Sequence, residues 1–392
     1  MFKHLFKLSW NKRKQNFLFL SEILVSFMVI FAVFSLLTFY YLNYTLPKGF
    51  ESERVWSIAY SRNVKINDND SLRMYYENIR RTLKAVPEIE ELSFSSSNFP
   101  YSNSHSTTGF TYKGKEMSPI NNYSVEDDYN KVLGIKLLEG RWFNKEDLNQ
   151  KSVVINQTLK QAMFGDEPAA GKIVGADKEE DKWKVIGVVA DVKAEGDFWP
   201  AGKSFYKRLD TGSFKWVGDI LLKVSPKADA AFESRLNKLL ARMIQNSNTE
   251  IRHMEDTRES KNSDTIIPMI ICITIAGFLI INVALGLFGV LWYNINQRRG
   301  EIGLRRAIGA TGSSVSFQLV SESLMLATLS IIVGSFFALQ FPLLNVFNVA
   351  ASVYIIALLL SIAFIYLLVI LCSLYPGKQA AAIRPAIALH EE

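Results

Sequence analysis

Four stretches of this chain are long and apolar enough to cross a bilayer, and they constrain every other reading. A spanning helix needs about 20 mostly apolar residues. Residues 17–41, 266–293, 315–341 and 352–374 each meet that demand. The polar stretch between the first two, about 220 residues, is long enough to bury a core of its own. The first apolar stretch outruns the roughly 7–15 residues of a signal-peptide core, and no small-residue cleavage site follows it. An uncleaved anchor is expected there.

The formal net charge is +6, and the basic residues explain it by their placement. Lys3, Lys7, Lys12, Arg13 and Lys14 precede the first apolar stretch; Arg298, Arg299, Arg305 and Arg306 lie between the second and third; Lys378 and Arg384 follow the fourth. Residues 343–351 carry no charge. Because basic loops stay on the cytoplasmic side, both termini are expected in the cytoplasm and residues 45–264 outside it. Tyr40, Tyr41, Tyr44, Trp292 and Tyr293 fall where an interfacial aromatic belt would. The charge thus points to a multi-pass membrane protein, not to nucleic acid. The two cysteines, Cys272 and Cys372, sit in different apolar stretches. No disulfide is expected, and the outer domain must rest on its core.

Within residues 45–264 one pattern occurs twice. Strand 55–60, amphipathic helix 72–85 and strand 89–95 are matched by strand 220–224, helix 230–243 and strand 249–254. Two such units can share one sheet with both helices on a single face. The fold class expected is therefore four transmembrane helices plus an α+β extracytoplasmic domain. In it, a ferredoxin-like split βαβ repeat (45–97 and 216–264) is interrupted by a mostly β insert (98–215), with short strands at 109–112, 153–155 and 185–189.

Candidate chemistry is sparse. The segment from Gly196 to Ser204 imitates a phosphate-binding loop. It has five residues between its glycines where four are required, and Trp199 and Pro200 occupy the wrap. No nucleotide site is expected there. His4, His105, His253 and His390 lack partners at metal spacing, and no Ser/His/Asp signature is present. Glu126, Asp127 and Asp128 read as a solvated helix start. Within the spans, Glu22, Glu322 and Asn282 are costly residues. Both glutamates lie near the cytoplasmic ends and are expected to snorkel or pair with arginine. Gly277, Gly286, Gly289, Gly334 and Ser335 are expected to mark helix-packing faces.

The most informative segment is 297–314. Ile302, Leu304, Ala307 and Ile308 give a short helix a narrow apolar side, and Glu301 with Arg305 forms an i,i+4 pair. Gly309 can end the helix in a left-handed turn, and Thr311, Ser313 or Ser314 can cap the next span. A helix lying flat on the cytoplasmic surface is expected over residues 300–310.

At these residues the chain resembles the MacB/FtsX superfamily of ABC permeases, the mechanotransmission or type VII group. The matching run is EIGLRRAIGA at 301–310, followed by Gln318 and by Glu322, Ser323 and Leu324. Pro376, Ala380, Ala381, Ile383, Pro385, Ala388 and Leu389 fit as well, although His390 stands where relatives commonly have Arg. Val132, Leu133, Gly134, Ile135, Gly140, Arg141 and Phe143 resemble the MacB-type periplasmic core. So do the strand at 153–156, Phe164, Gly165, Pro168, Gly171, Lys172 and the strand at 185–189.

The resemblance implies a permease subunit without a catalytic site. ATP and Mg would be bound by a separate cytoplasmic ATPase, two copies per complex, and no cofactor by this chain itself. Glu301, Arg305, Arg306 and Gly309 map onto the helix that couples to that ATPase. A second permease subunit, as a homodimer or heterodimer, and a periplasmic adaptor are further implied partners. The membrane-proximal repeat would be the Porter subdomain, the insert the Sabre subdomain, and residues 265–392 the permease domain. Export or extraction of a substrate is the leading expectation. The alternative is an FtsX-like signalling subunit that activates a cell-wall hydrolase; the large outer domain favours transport.

Overall fold

A computed structural model describes residues 13–60, 68–148, 150–175, 182–210, 214–244 and 248–382. The expectations for His4, Lys3, Lys7, Lys12, Ile383, Arg384, Pro385, Ala388, Leu389 and His390 lie outside these residues. The chain divides into two compact units, Asn43–Thr265 and the remainder.

In chain order the helices of eight or more residues are α1 (Arg13–Thr45), α2 (Asn69–Lys84), α3 (Gln157–Phe164), α4 (Ala230–Met243), α5 (Met254–Gln297), α6 (Arg299–Ala307), α7 (Gly312–Ala338) and α8 (Ala351–Ala381). The strands are β1 (Val55–Tyr60), β2 (Ile89–Ser96), β3 (Thr107–Tyr112), β4 (Lys115–Val125), β5 (Leu137–Gly140), β6 (Ser152–Asn156), β7 (Ile173–Gly175), β8 (Lys182–Val189), β9 (Ser204–Arg208), β10 (Val217–Val224) and β11 (Thr249–His253).

The Asn43–Thr265 unit is built on one mixed sheet in the order β11-β1-β10-β2-β4-β9-β6-β8-β5. Its first four strands are all antiparallel to their neighbours and have the strand order of a ferredoxin-like fold. Helix α2 places Leu72, Tyr76, Ile79 and Leu83 on one stripe, and α4 does the same with Phe232, Leu236 and Leu240. Both stripes cover Ile58, Leu92, Phe94, Ile220 and Leu222 of the sheet. Asp68 caps α2 by accepting from the Ser71 amide at 2.7 Å, and Asp229 caps α4 from the Phe232 amide at 2.8 Å.

The insert continues the same sheet through a single residue pair, Ser95 with Val125. Parallel pairings of β4 with β9 and of β6 with β8 make it mixed. Besides its strands it carries α3, whose Leu159, Met163 and Phe164 close a separate core over Val153, Ile155, Val185 and Phe205.

In the other unit, α1, α5, α7 and α8 are the helices long and apolar enough to cross a membrane. Phe19, Ile23, Phe27 and Phe31 of α1 pack with Leu287 and Leu291, Ala327 and Ile331, and Ala357 and Ile365 of the other three. Gly334 is a true packing glycine, since a Cβ there would stand 2.4 Å from the Phe27 ring. Gly277 and Gly289 are not: a Cβ at either would meet nothing within 4 Å. They lie on a side of α5 that other spans leave uncovered among the described residues, near the exposed Ile275, Phe278, Ile281 and Leu285. Asn282 donates within its own helix to the Phe278 carbonyl at 2.8 Å. Cys272 and Cys372 are free thiols.

Candidate functional site

The short helix α6 is braced by a closed ring of five side chains. Arg298 donates through Nε to Glu301 at 3.1 Å and through Nη1 to Glu322 of α7 at 2.7 Å. Arg305 donates to the other Glu301 oxygen at 2.6 Å and to Gln318 Oε1 at 2.8 Å. Gln318 Nε2 closes the circuit on Glu322 at 3.0 Å. Two positive and two negative charges cancel within it, so neither glutamate is left uncompensated.

Behind the ring, Ile302 is buried with Ile295, Val315 and Ala380, and Arg306 donates to the Ala381 carbonyl at the end of α8. Gly309 leaves the helix at φ +104°. Thr311 then caps α7 by accepting from the Ser314 amide at 3.3 Å. The helix is thus fixed to both α7 and α8.

The expected single apolar side does not form. Ile302 is buried, whereas Leu304 is 54% and Ile308 80% exposed. Residues two apart on an α-helix are turned by about 200°, so Leu304 belongs to the face opposite Ile302, and Ile308 caps the helix just beyond it. Among the site residues chosen from sequence, Glu301, Arg305 and Glu322 meet in the ring, Arg306 braces beside it, and Gly309 ends the helix. Glu22 is elsewhere, against Gly286 of α5. Arg298 and Gln318 are ring members whose roles sequence reading missed. The i,i+4 spacing of Gln318 and Glu322 was the available signal.

A second polar centre lies in the Asn43–Thr265 unit, in the segment that imitates a phosphate loop. Asp197, 3% exposed, receives Arg258 through Nε at 2.9 Å and Nη2 at 2.7 Å. It also receives the Asn262 amide at 2.9 Å and the Tyr101 hydroxyl at 3.0 Å. Burial alone would raise its pKa; these donors outweigh burial and hold the carboxyl below its ordinary range. Its own amide donates to Asn262 Oδ1 at 2.9 Å.

Lys193, 2% exposed, gives its ammonium to three carbonyls: Asn43, Leu46 at 2.8 Å and Asp197 at 3.2 Å. Burial pushes its pKa down. Trp199 Nε1 donates to Thr265 Oγ1 at 3.0 Å, and Phe198 stacks on Tyr44 at 5.2 Å. The segment is a clamp between residues 43–46 and residues 258–265. Sequence reading could reject it as a nucleotide loop but could not see this role, because its partners lie about 60 and 150 residues away.

Other sequence candidates resolve into structural pairs. The acidic run does precede a short helix, Tyr129–Val132, but its side chains are paired: Glu126 meets Arg80 at 2.5 Å, Asp127 takes Arg208 at 2.6 and 2.9 Å, and Asp128 takes Lys131 at 2.9 Å. His253 stacks on Trp56 at 4.4 Å and lies 3.1 Å from Glu233. Among the described residues no cluster of His, Cys, Asp or Glu could hold a metal.

Comparison with known proteins accords with this architecture. Residues 19–239 match the MacB-like periplasmic core domain, and residues 273–385 match the FtsX-like permease C-terminal region. A macrolide export ATP-binding/permease protein MacB of Aggregatibacter actinomycetemcomitans is 25% identical over 58% of this chain and 36% of its own length. The MacB protein of Bradyrhizobium diazoefficiens is 27% identical over 73% of this chain and 45% of its own. The chain thus spans less than half the length of these relatives. The crystal structure of the periplasmic region of MacB from Actinobacillus actinomycetemcomitans aligns at a TM-score of 0.39 and 20% identity, over 53% of this chain and 92% of that one. The chain belongs to the MacB-like periplasmic core domain family and is an ABC transporter permease of the MacB/FtsX superfamily.

Proposed function

We propose that this chain is the permease subunit of an ABC transporter in which a separate cytoplasmic ATPase, in two copies, docks on α6. Both termini then lie in the cytoplasm, the Asn43–Thr265 unit lies outside, and a second permease subunit completes the complex. ATP-driven motion passes from α6 through the spans to the outer unit and drives export or extraction of a substrate.

The ring joining Arg298, Glu301, Arg305, Gln318 and Glu322 carries this reading. A connector that merely rested on lipid would not need five polar side chains to fix it to α7. Its Leu304 and Ile308 remain exposed beside the ring, as a small apolar anchor for a protein partner would be.

The experiment compares two kinds of variant in the full chain. Leu304→Asp with Ile308→Asp leaves the ring whole and should abolish co-purification of the ATPase at normal membrane abundance. Arg305→Glu breaks the ring and should lose both ATPase recovery and transport. Unchanged ATPase recovery in both would overturn the docking assignment.

A further inference from the structure

One face of the ferredoxin-like sheet is covered by α2 and α4. Among the described residues the opposite face is left open at one end, as a cleft of about 680 Å³ lined in part by Ala59, Ser97, Phe99, Asp219, Glu250 and Arg252. That volume lies in the range of small-molecule sites, roughly 300–1,000 Å³. Its floor follows from strand register. Ser95, Asp219, Ala59 and Glu250 stand opposite one another on four adjacent strands. Their neighbours Phe94, Ile220, Ile58 and Ile251 belong to the core beneath the helices, so this rung points the other way.

Two carboxylates therefore flank one alanine. Adjacent strands are about 4.8 Å apart, which sets a cation seated over Ala59 near both. Glu250 is already held by Arg252 at 2.5 Å. Asp219 is 5% exposed and makes no ion pair among the described residues; the Ser97 hydroxyl and the Arg252 charge offset its burial only in part. On the same rung, the buried Ser95 hydroxyl has no hydrogen-bond partner among the described residues. A carboxylate at the floor of an open cleft, whose cationic neighbour Arg252 is already engaged by Glu250, is undercompensated without a ligand.

We infer that this cleft binds a small organic molecule through a protonated amine, seated over Ala59 and paired with Asp219. Phe99 supplies an apolar wall and Ser97 a hydroxyl beside the carboxylate. The site needs no ATPase, so its test stands apart from that of the transport reading.

The probe is dansylcadaverine, a fluorescent primary amine, titrated against the full chain in nanodiscs of zwitterionic lipid with empty nanodiscs as blank. We expect saturable binding that weakens about tenfold or more in Asp219→Asn, as loss of one charge-assisted contact requires. Ala59→Leu raises the floor without touching a charge and should do the same. The N-acetylated probe should not bind. The two substitutions act by unrelated means, so misfolding of one leaves the other decisive. Equal affinity in the parent and the folded variants, or equal binding of the charged and acetylated probes, would overturn the assignment.

Discussion

The carboxylate of Glu22 occupies the space that Gly286 leaves by having no side chain: a Cβ there would stand 1.8 Å from Glu22 Oε1. The two residues fix the approach of α1 and α5. Gly286→Ala should therefore destabilise the full chain by about 1–3 kcal/mol, the usual penalty of overpacking. Glu22→Ala should remove most of that penalty. Unfolding in mixed micelles, run as a double-mutant cycle, reads the coupling; additive effects would show that the contact does not set the helix spacing.

Arg258→Ala leaves Asp197 buried without its cation, which should cost about 3 kcal/mol or more near neutral pH. The Asp197 pKa is depressed in the folded state. Its stabilising contribution is therefore present above the unfolded carboxylate pKa of about 3.9 and lost as pH falls through the lower folded value. The penalty of Arg258→Ala should accordingly shrink in acid. Thermal melts of parent and variant across pH check both claims.

Asp219 has the opposite sign. Burial pushes it up to about 6, against a partial offset from Ser97 and Arg252. Above pH 6 its charge opposes folding, and below about 4 the carboxyl is neutral in both folded and unfolded states. Asp219→Asn should raise the melting temperature by a few degrees at pH 8 and change it little at pH 4. Glu250 and Arg252, the charged residues beside it in the cleft among the described residues, remain paired in the variant. A melting temperature unchanged at pH 8 would contradict the buried, undercompensated carboxylate.

Orientation can be read by labelling single cysteines with a membrane-impermeant maleimide. Glu77→Cys, on the exposed side of α2, should react in intact cells, and Ser313→Cys, at the start of α7, only after permeabilisation. The reverse pattern would invert the topology.

The elements with strong local signals were legible in the sequence. The stripe Leu72, Tyr76, Ile79 and Leu83 and the stripe Phe232, Leu236 and Leu240 specify two helices by spacing alone, and the four spans follow from length and apolarity. The start of α5 was not legible, because nothing polar in residues 254–265 breaks a helix and hydropathy marks only its apolar part. The ring around Glu301 was half legible: its i,i+4 pair is local, whereas Arg298 with Glu322 spans a turn between two helices. The Asp197 clamp and the Asp219 cleft were not legible at all. Both depend on residues brought together by strand register and chain return, which composition and spacing do not encode.

The register of β1 and β11 has a mechanical consequence. Trp56 pairs with His253 at one end of their antiparallel ladder and Tyr60 with Thr249 at the other, so the chain enters β1 and leaves β11 at the same edge. Tension between the flanking segments would peel this ladder one rung at a time, each hydrogen bond yielding for about 0.5–1.5 kcal/mol, instead of shearing all rungs together. Lys193 grips the carbonyls of Asn43 and Leu46 upstream of β1, while Asp197 grips Arg258 and Asn262 downstream of β11. The load path then runs through the clamp before it reaches the Trp56–His253 rung, which makes residues 193–199 the strain relief of the sheet.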